Sequence, residues 1–299
     1  MKKLLKWIGI LLAVLIGLLI VALAAAFITS NSRANRTYDI QVESVTISTD
    51  AETVERGRHL AVTRGCVDCH GGDFSGGSVI DDPAIAVIYA PNLTPGHGGL
   101  ADYGDSDWVR AIRHGVDQGG KPLFVMPSQE YYFMSNEDLG AVLAYLKQVP
   151  AVENQTPQKS LGVLGRVLFV AGMLGDLPAE IIDHTAARPT TPEMGVSKEY
   201  GAYLAVNCIG CHGENYAGST VPGSPPDALP AANLTPTGAI ANWSEADFLT
   251  AMHTGVRPDG SQIDRSMLWW SLGKMTDEEL KALWLFLQSV PPVESVNQQ

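Results

Sequence analysis

Cys66-Val67-Asp68-Cys69-His70 and Cys208-Ile209-Gly210-Cys211-His212 contain all four cysteines of the chain, each pair inside the same five-residue pattern. Two thiols three positions apart with an imidazole directly after the second form the attachment signature of c-type haem. The thiols add to the haem vinyl groups as thioethers, and the adjacent histidine is carried under the iron as an axial ligand. A four-thiolate zinc ribbon spaces its two pairs by about 15–20 residues, whereas these stand 142 positions apart. A thioredoxin-like pair or a disulfide needs no histidine after the second cysteine. Two covalent haem c groups with their iron are therefore expected, one on Cys66, Cys69 and His70 and one on Cys208, Cys211 and His212.

An iron that only carries electrons is expected to be six-coordinate, and a methionine sulfur opposite the histidine raises its reduction potential. The chain has eight methionines. Met126 and Met267 follow His70 and His212 by 56 and 55 residues, and Met134 and Met275 follow them by 64 and 63. Met134 and Met275 stand just before a helix N-cap, where an apolar side chain packs as a hydrophobic staple. Met126 precedes Pro127 in a loop that is free to turn toward the iron. His70, Met126, His212 and Met267 are thus the expected metal ligands. His59, His97, His114, His184 and His253 read as surface or hydrogen-bonded residues. No catalytic residue is expected.

These residues need a scaffold, and the sequence repeats itself to supply one. Asn92-Leu93-Thr94-Pro95 recurs as Asn233-Leu234-Thr235-Pro236, and Gly115-Val116 as Gly255-Val256. The run Ser135-Asn136-Glu137-Asp138-Leu139 recurs as Thr276-Asp277-Glu278-Glu279-Leu280. Each copy predicts a helix entering the haem motif, from about Asp50 (capping box Thr49 and Glu52) and from about Ser197. A middle helix follows over about Ser106 to His114 and Ser244 to His253. The last helix opens on capping boxes Ser135/Asp138 and Thr276/Glu279. Its apolar positions Leu139, Val142, Leu143 and Leu146, or Leu280, Leu283, Trp284 and Leu287, recur at helical spacing, and Pro150 and Pro291 stop it. The Gly- and Pro-rich loops 71–104 and 213–242 are too long to run free in a compact domain and are expected to wrap the haem. The boundaries are 1–30 membrane anchor, 31–49 linker, 50–150 and 196–293 haem domains, 151–195 inter-domain linker and 294–299 tail. Inside the inter-domain linker, 161–174 is apolar but too short to span a bilayer. Packing between the modules is expected of it; lying on a membrane surface is the alternative.

Lys2, Lys3 and Lys6 precede 22 uncharged residues, Trp7 to Ile28. A signal-peptide core is about 7–15 residues and a membrane span about 20, which favours an uncleaved anchor. Ala24-Ala25-Ala26 offers the competing cleavage site. Positive charge before the span keeps the N-terminus in the cytoplasm, so an inner-membrane, single-pass protein with its haem domains on the periplasmic side is expected. A net charge of −12 repels nucleic acid and anionic headgroups and suits a basic patch on a protein partner.

The order Cys-x-x-Cys-His, Asn-Leu-Thr-Pro, Gly-Val, then Met before a capped helix ending at proline resembles the class I cytochrome c fold. With Asn-Leu-Thr-Pro at 92–95 and 233–236, the chain is similar to the cytochrome c subunits of membrane-bound alcohol and gluconate dehydrogenases, although two haem motifs stand here against the three typical of those subunits. The resemblance covers about 51–292. It implies an all-α fold of two tandem class I cytochrome c domains with long haem-wrapping loops, after one N-terminal transmembrane helix. It also implies ligation by His70/Met126 and His212/Met267. The expected function is relay of single electrons from a dehydrogenase or quinol-oxidising partner to a soluble cytochrome or terminal oxidase. The alternative, a peroxidase-like or thiosulfate-oxidising dihaem enzyme, needs an open or displaceable iron site, and the matched methionines argue against it.

Overall fold

The computed structural model describes residues 1–221, 223–224 and 227–294; the expected tail 294–299 lies, past its first residue, outside the described residues. Helix α1 runs Lys2–Ala34, slightly past the expected anchor boundary, and nearly all of it is exposed apolar surface. The expected linker 31–49 is no free tether. It is a strap over the first module, where Val42, Val45 and Ile47 pack on the core, Tyr38 donates its N–H to Gly120 O at 2.8 Å and Glu43 pairs with the buried Arg113.

The first module follows the strap. Helix α2 (Ala51–Thr63) leads to α3 (Cys66–His70), then β1 (Gly77–Asp82) and β2 (Ala86–Ala90), α4 (Asp105–His114), α5 (Ser128–Tyr131) and α6 (Asn136–Leu146). The linker carries β3 (Ser160–Leu161), α7 (Val163–Val170) and α8 (Pro178–Ile181). The second module repeats the plan as α9 (Lys198–Ala205), a 3₁₀ turn Val206–Cys208, α10 (Ile209–His212), α11 (Glu245–Thr254), α12 (Trp269–Leu272) and α13 (Asp277–Leu287). The helical core is as expected, with one addition. Loop 71–104 contains a hairpin, β1 antiparallel to β2 from Gly77↔Ala90 to Asp82↔Ala86, extended by β3 through Ala86↔Leu161. Its β-branched Val79, Ile80, Val87 and Ile88 suit a pleated surface, and the described part of the corresponding second loop has no strand.

Two caps differ from expectation. Asp50, not Thr49, caps α2, its carboxylate accepting the Thr53 N–H at 2.9 Å. Thr276 and Glu279 form the full reciprocal box of α13, but at α6 only half of it forms. Ser135 Oγ accepts the Asp138 N–H at 3.0 Å, while the Ser135 N–H goes to Tyr203 of the second module and the Asp138 carboxylate turns to Arg56 and Tyr203.

First and last helices cross closely in both modules because glycine stands at each crossing. A Cβ on Gly57 would lie 1.8 Å from Ala141 O, and one on Gly201 2.0 Å from Ala282 O. Leu139, Leu143, Leu280 and Leu287 are sealed from solvent beneath these crossings.

The linker is tied to the first module by a histidine pair. His114 is fully buried, with its Nδ1 2.9 Å from His184 Nδ1, and His184 Nε2 lies 3.2 Å from Ala179 O. A carbonyl only accepts, so His184 donates from Nε2, its Nδ1 accepts from His114, and His114 Nε2 is left buried without a partner. Burial pushes the His114 pKa down to about 4, and His184 and Arg188 act in the same direction.

Two outcomes follow for stability. Gly57→Ala and Gly201→Ala should each lower the denaturation midpoint, by about 1–3 kcal/mol for an overpacked helix contact. Because the unfolded chain protonates His114 near 6.5 and the folded one only near 4, its contribution is complete above 6.5 and is lost as pH falls toward 4. Thermal melts across that window should show a declining midpoint, and His114→Leu should flatten the decline.

Candidate functional site

Each haem motif is a single helical turn set off by glycine. Gly65 (φ 79°) precedes α3, and Gly71 (φ 80°) and Gly213 (φ 76°) follow α3 and α10 in conformations that disfavour a side chain. In the first motif both cysteines lie on α3, and in the second Cys208 ends the 3₁₀ turn and caps α10, which carries Cys211. All four thiols are unpaired. Burial pushes the Cys66 and Cys208 thiols up to about 12. Among the described residues no group of three or more His, Cys, Asp or Glu is placed to hold a metal ion.

His70 and His212 are buried, and burial pushes their pKa values down, which keeps the rings neutral. His70 Nδ1 lies 2.9 Å from Pro91 O and His212 Nδ1 2.7 Å from Ala232 O. Each Nδ1 must therefore donate, which fixes the tautomer and leaves the Nε2 lone pair for a metal.

The acceptors of those bonds come from the loops that hold the repeated Asn-Leu-Thr-Pro. In both modules the leucine N–H (Leu93, Leu234) reaches back 2.8 Å to the carbonyl of an aromatic residue after the haem motif, Phe74 or Tyr216. Both aromatics sit at positive φ, 59° and 58°. Asn92 donates Nδ2 to Val152 O at 2.8 Å and accepts the Thr94 N–H at 2.9 Å; Thr94 Oγ1 accepts the Val152 N–H at 2.9 Å. Asn233 does the same with Val293 O at 2.7 Å and the Thr235 N–H at 2.8 Å. The motif is thus a clamp that joins the histidine loop to the chain leaving the last helix.

Met126 and Met267 are partly buried at the edge of the two cores, Met126 in the cluster that includes Cys66 and Val67, Met267 in the one that includes Cys208 and Ile209. Met134 and Met275 lie inside those clusters, 5 % and 3 % exposed, with Leu139 and Leu280. The burial separates a pair of core methionines from a pair at the loop edge beside the cysteines. Of the other histidines, His97 is exposed, and His253 bridges Gly273 O at 2.7 Å and Asp277 at 3.0 Å. His59 has a partner in the second module.

Each motif meets, across the interface between the modules, the short helix that follows the other module's loop methionine. Asp68, inside the first motif, accepts from Trp270 Nε1 at 2.6 Å and Ser271 Oγ at 2.5 Å, both on α12 after Met267. Reciprocally, Glu130 on α5 after Met126 lies against Gly210 inside the second motif, where a Cβ would stand 1.9 Å from its Oε1. Burial pushes the Glu130 pKa up to about 7. Arg64, two residues before the first motif, donates to Asn207, directly before the second, at 2.9 Å, and Tyr131 OH donates to Arg64 O at 2.8 Å. Below them the N3 carboxylates of the last helices cross over. Asp138 accepts from Arg56 of its own module at 2.7 Å and from Tyr203 of the other at 2.6 Å. Glu279 accepts from Tyr200 of its own module at 3.3 Å and lies 2.8 Å from His59 Nε2 of the other. Burial works against the charge on Glu279, but hydrogen bonds from His59 and Thr276 outweigh it and hold the carboxyl below its ordinary range. None of these cross-module partners was visible in the sequence. Asp138 and Glu279 were visible only as caps, and Asp68 only as a spacer between cysteines.

A family model described as cytochrome c matches residues 54–150 and 199–291. The chain belongs to the cytochrome c family. It is 29% identical over 279 residues to the alcohol dehydrogenase (quinone) cytochrome c subunit of Gluconacetobacter polyoxogenes, covering 82% of this chain and 57% of that one. Identity to the gluconate 2-dehydrogenase cytochrome c subunit of Pantoea cypripedii is 29% over 270 residues, with 79% and 59% covered. To the fructose dehydrogenase cytochrome subunit of Gluconobacter japonicus it is 26% over 279, with 83% and 55% covered. The chain thus spans less than two thirds of the length of these relatives. Family membership makes it a haem-binding electron-transfer protein, and its residues fit that group: paired thiols three positions apart, an adjacent imidazole of fixed tautomer and a methionine at the edge of the same core.

The clamp gives a test of its own. Asn92→Ala leaves the buried Thr94 N–H without its acceptor, at about 1–3 kcal/mol for an unsatisfied buried group. The purified protein should melt at a lower temperature, with Asn233→Ala behaving alike in the second module.

Proposed function

We propose that the chain is the membrane-anchored dihaem electron-transfer part of a dehydrogenase system. It takes single electrons from a dehydrogenase or quinol-oxidising partner and delivers them to a soluble cytochrome or terminal oxidase. The reading rests on one observation above all: two haem motifs, each with its histidine tautomer set, lie inside one clasped unit of a cytochrome c family chain. The dehydrogenase partner is inferred from the names of the relatives, all subunits of such enzymes. Helix α1, the one described helix long and apolar enough to cross a membrane, would hold the unit at the inner membrane with the modules on the periplasmic side.

When bound, haem c supplies reversible one-electron chemistry at iron. Cys66 and Cys69 would hold one group and Cys208 and Cys211 the other. His70 and His212 would offer Nε2, oriented by the bonds to Pro91 O and Ala232 O. Met126 and Met267 would offer sulfur as the second protein ligand, favouring the reduced state. The residue shells differ between the modules: Asp68 puts a carboxylate inside the first motif where the second has Gly210.

A pyridine haemochrome assay should give two haems c per chain that resist acid-acetone extraction; one haem, or zinc, overturns the assignment. Met126→Ala and Met267→Ala should each remove about half of the weak sulfur-to-iron absorption of the ferric protein and lower one reduction potential, since loss of the thioether disfavours ferrous iron. Met134→Leu and Met275→Leu should leave the spectrum unchanged and cost less than about 1.5 kcal/mol as volume-conserving changes. Carbon monoxide binding by the unaltered protein would favour a dihaem enzyme instead. In membranes, adding the partner enzyme's substrate should reduce both haems; failure with ethanol, gluconate and fructose alike would remove those three relatives as guides to the donor.

A further inference from the structure

Packing between the modules is expected of the apolar segment after the first module, but among the described residues it reaches the second module only at its end, where Met173 O accepts the Gly223 N–H at 3.1 Å. Helix α7 itself lies against the far end of α1 and, through Gly165 and Phe169, against Ile85 and Phe124 of the first module. Ala26 and Ser30 are the buried residues of α1, and α7 is what meets that end. Arg166, the single charge between Leu161 and Gly175, is turned inward to this contact, donating to Ser30 Oγ at 2.9 Å with its guanidinium 4.4 Å from the Phe27 ring. Gly165 and Phe169 are the buried residues of α7. The rest of the segment is left bare, with Val163 68%, Leu164 49%, Val167 38%, Val170 38% and Met173 60% exposed.

The height of this patch is set by α1. Its uncharged run of 22 residues, Trp7 to Ile28, rises about 33 Å at 1.5 Å per residue, close to the roughly 30 Å hydrocarbon thickness of a bilayer. The run therefore ends where α7 touches it. Just beyond, the surface turns ionic: Arg33 pairs with Glu180 at 2.5 Å and Asp176 at 3.1 Å. A charge-free apolar face thus continues the lipid-facing surface of α1 at the hydrocarbon boundary and stops at a polar belt.

We propose that α7 and the turn after it, Val163 to Met173, lie in the outer interface of the bilayer beside the exit of α1. This forms a second membrane contact that sets the tilt of the two haem modules over the surface. The proposal rests on the reading of α1 as a membrane span. Interfacial helices of this kind bury an apolar face about 5–10 Å into the headgroup and acyl boundary. Two contact points, α1 and α7, remove the free rotation that one helix and a strap would leave.

The test uses the full haem-loaded chain in its own membranes, with the photo-crosslinking residue p-benzoylphenylalanine placed in turn at Leu15, Val167, Met173 and Leu229. All four side chains are exposed, and Leu229 is on the second module. Illumination should give phospholipid adducts at 15, 167 and 173 and none at 229, by mass spectrometry of the purified protein. Adducts at 15 but not at 167 or 173 would overturn the interfacial contact and leave the anchor standing. Adducts to a protein at 167 and 173 would overturn it in favour of a partner subunit on that face, and equal lipid yield at 229 would also overturn it. No lipid adduct at 15 would overturn the membrane-span reading itself. Haem absorbance of each variant checks that it has folded.

Discussion

Two carboxylates buried at the N-termini of the last helices hold the molecule together. The Asp138 side chain is 2% exposed and that of Glu279 10%. Charges so placed are tolerated only when their oxygens are fully engaged, and removing one partner strands the other. Each is engaged three ways. It lies in the first turn of its own helix, where the dipole favours negative charge; it takes a donor from the first helix of its own module; and it meets a side chain from the first helix of the other. Arg56 and Tyr203 serve Asp138, and Tyr200 and His59 serve Glu279. The two modules cannot separate without exposing both carboxylates to the loss of a partner. That locks the two modules together.

The interface is built from duplicated parts that have diverged in a complementary way. Asp68 and Gly210 occupy the same place in the two motifs, and Glu130 and Ser271 the same place after the two loop methionines. Where the first motif offers a carboxylate, the second module meets it with the Ser271 hydroxyl and the Trp270 indole. Where the first module offers Glu130, the second motif has no side chain at all. An exact repeat would set like charges against each other or leave a hole at each contact. Glu130 still sits in an apolar setting, which is why its pKa climbs to about 7.

Around this pair, connecting segments do structural work that their composition conceals. The strap 35–49 closes the first core through Val42, Val45 and Ile47. The linker closes the His114–His184 contact and supplies β3 to the hairpin. Asn92 and Asn233, which read as a family pattern, turn out to be clamps between the histidine loop and the residues after the final helix.

The order of cysteines, histidines and repeated motifs along the chain already carried the family and the modular plan. Cysteines, histidines and their spacing are covalent facts, and helix periodicity, caps and stopping prolines are local ones, so α4, α6, α11 and α13 were legible to within a residue or so. The duplication also made each motif check the other. The contacts between elements far apart in the chain were not legible in the sequence. Asp138 reads as half of a capping box, yet its carboxylate leaves the box because Tyr203, 65 residues on, offers a hydrogen bond within reach. His59 reads as a surface histidine until Glu279 arrives beside it. The apolar segment 161–174 reads as packing for a core, but which apolar surface it meets depends on where the chain returns, and it returns to the anchor. Local sequence sets what a residue can bond to; the folded chain sets which candidates come within 3 Å.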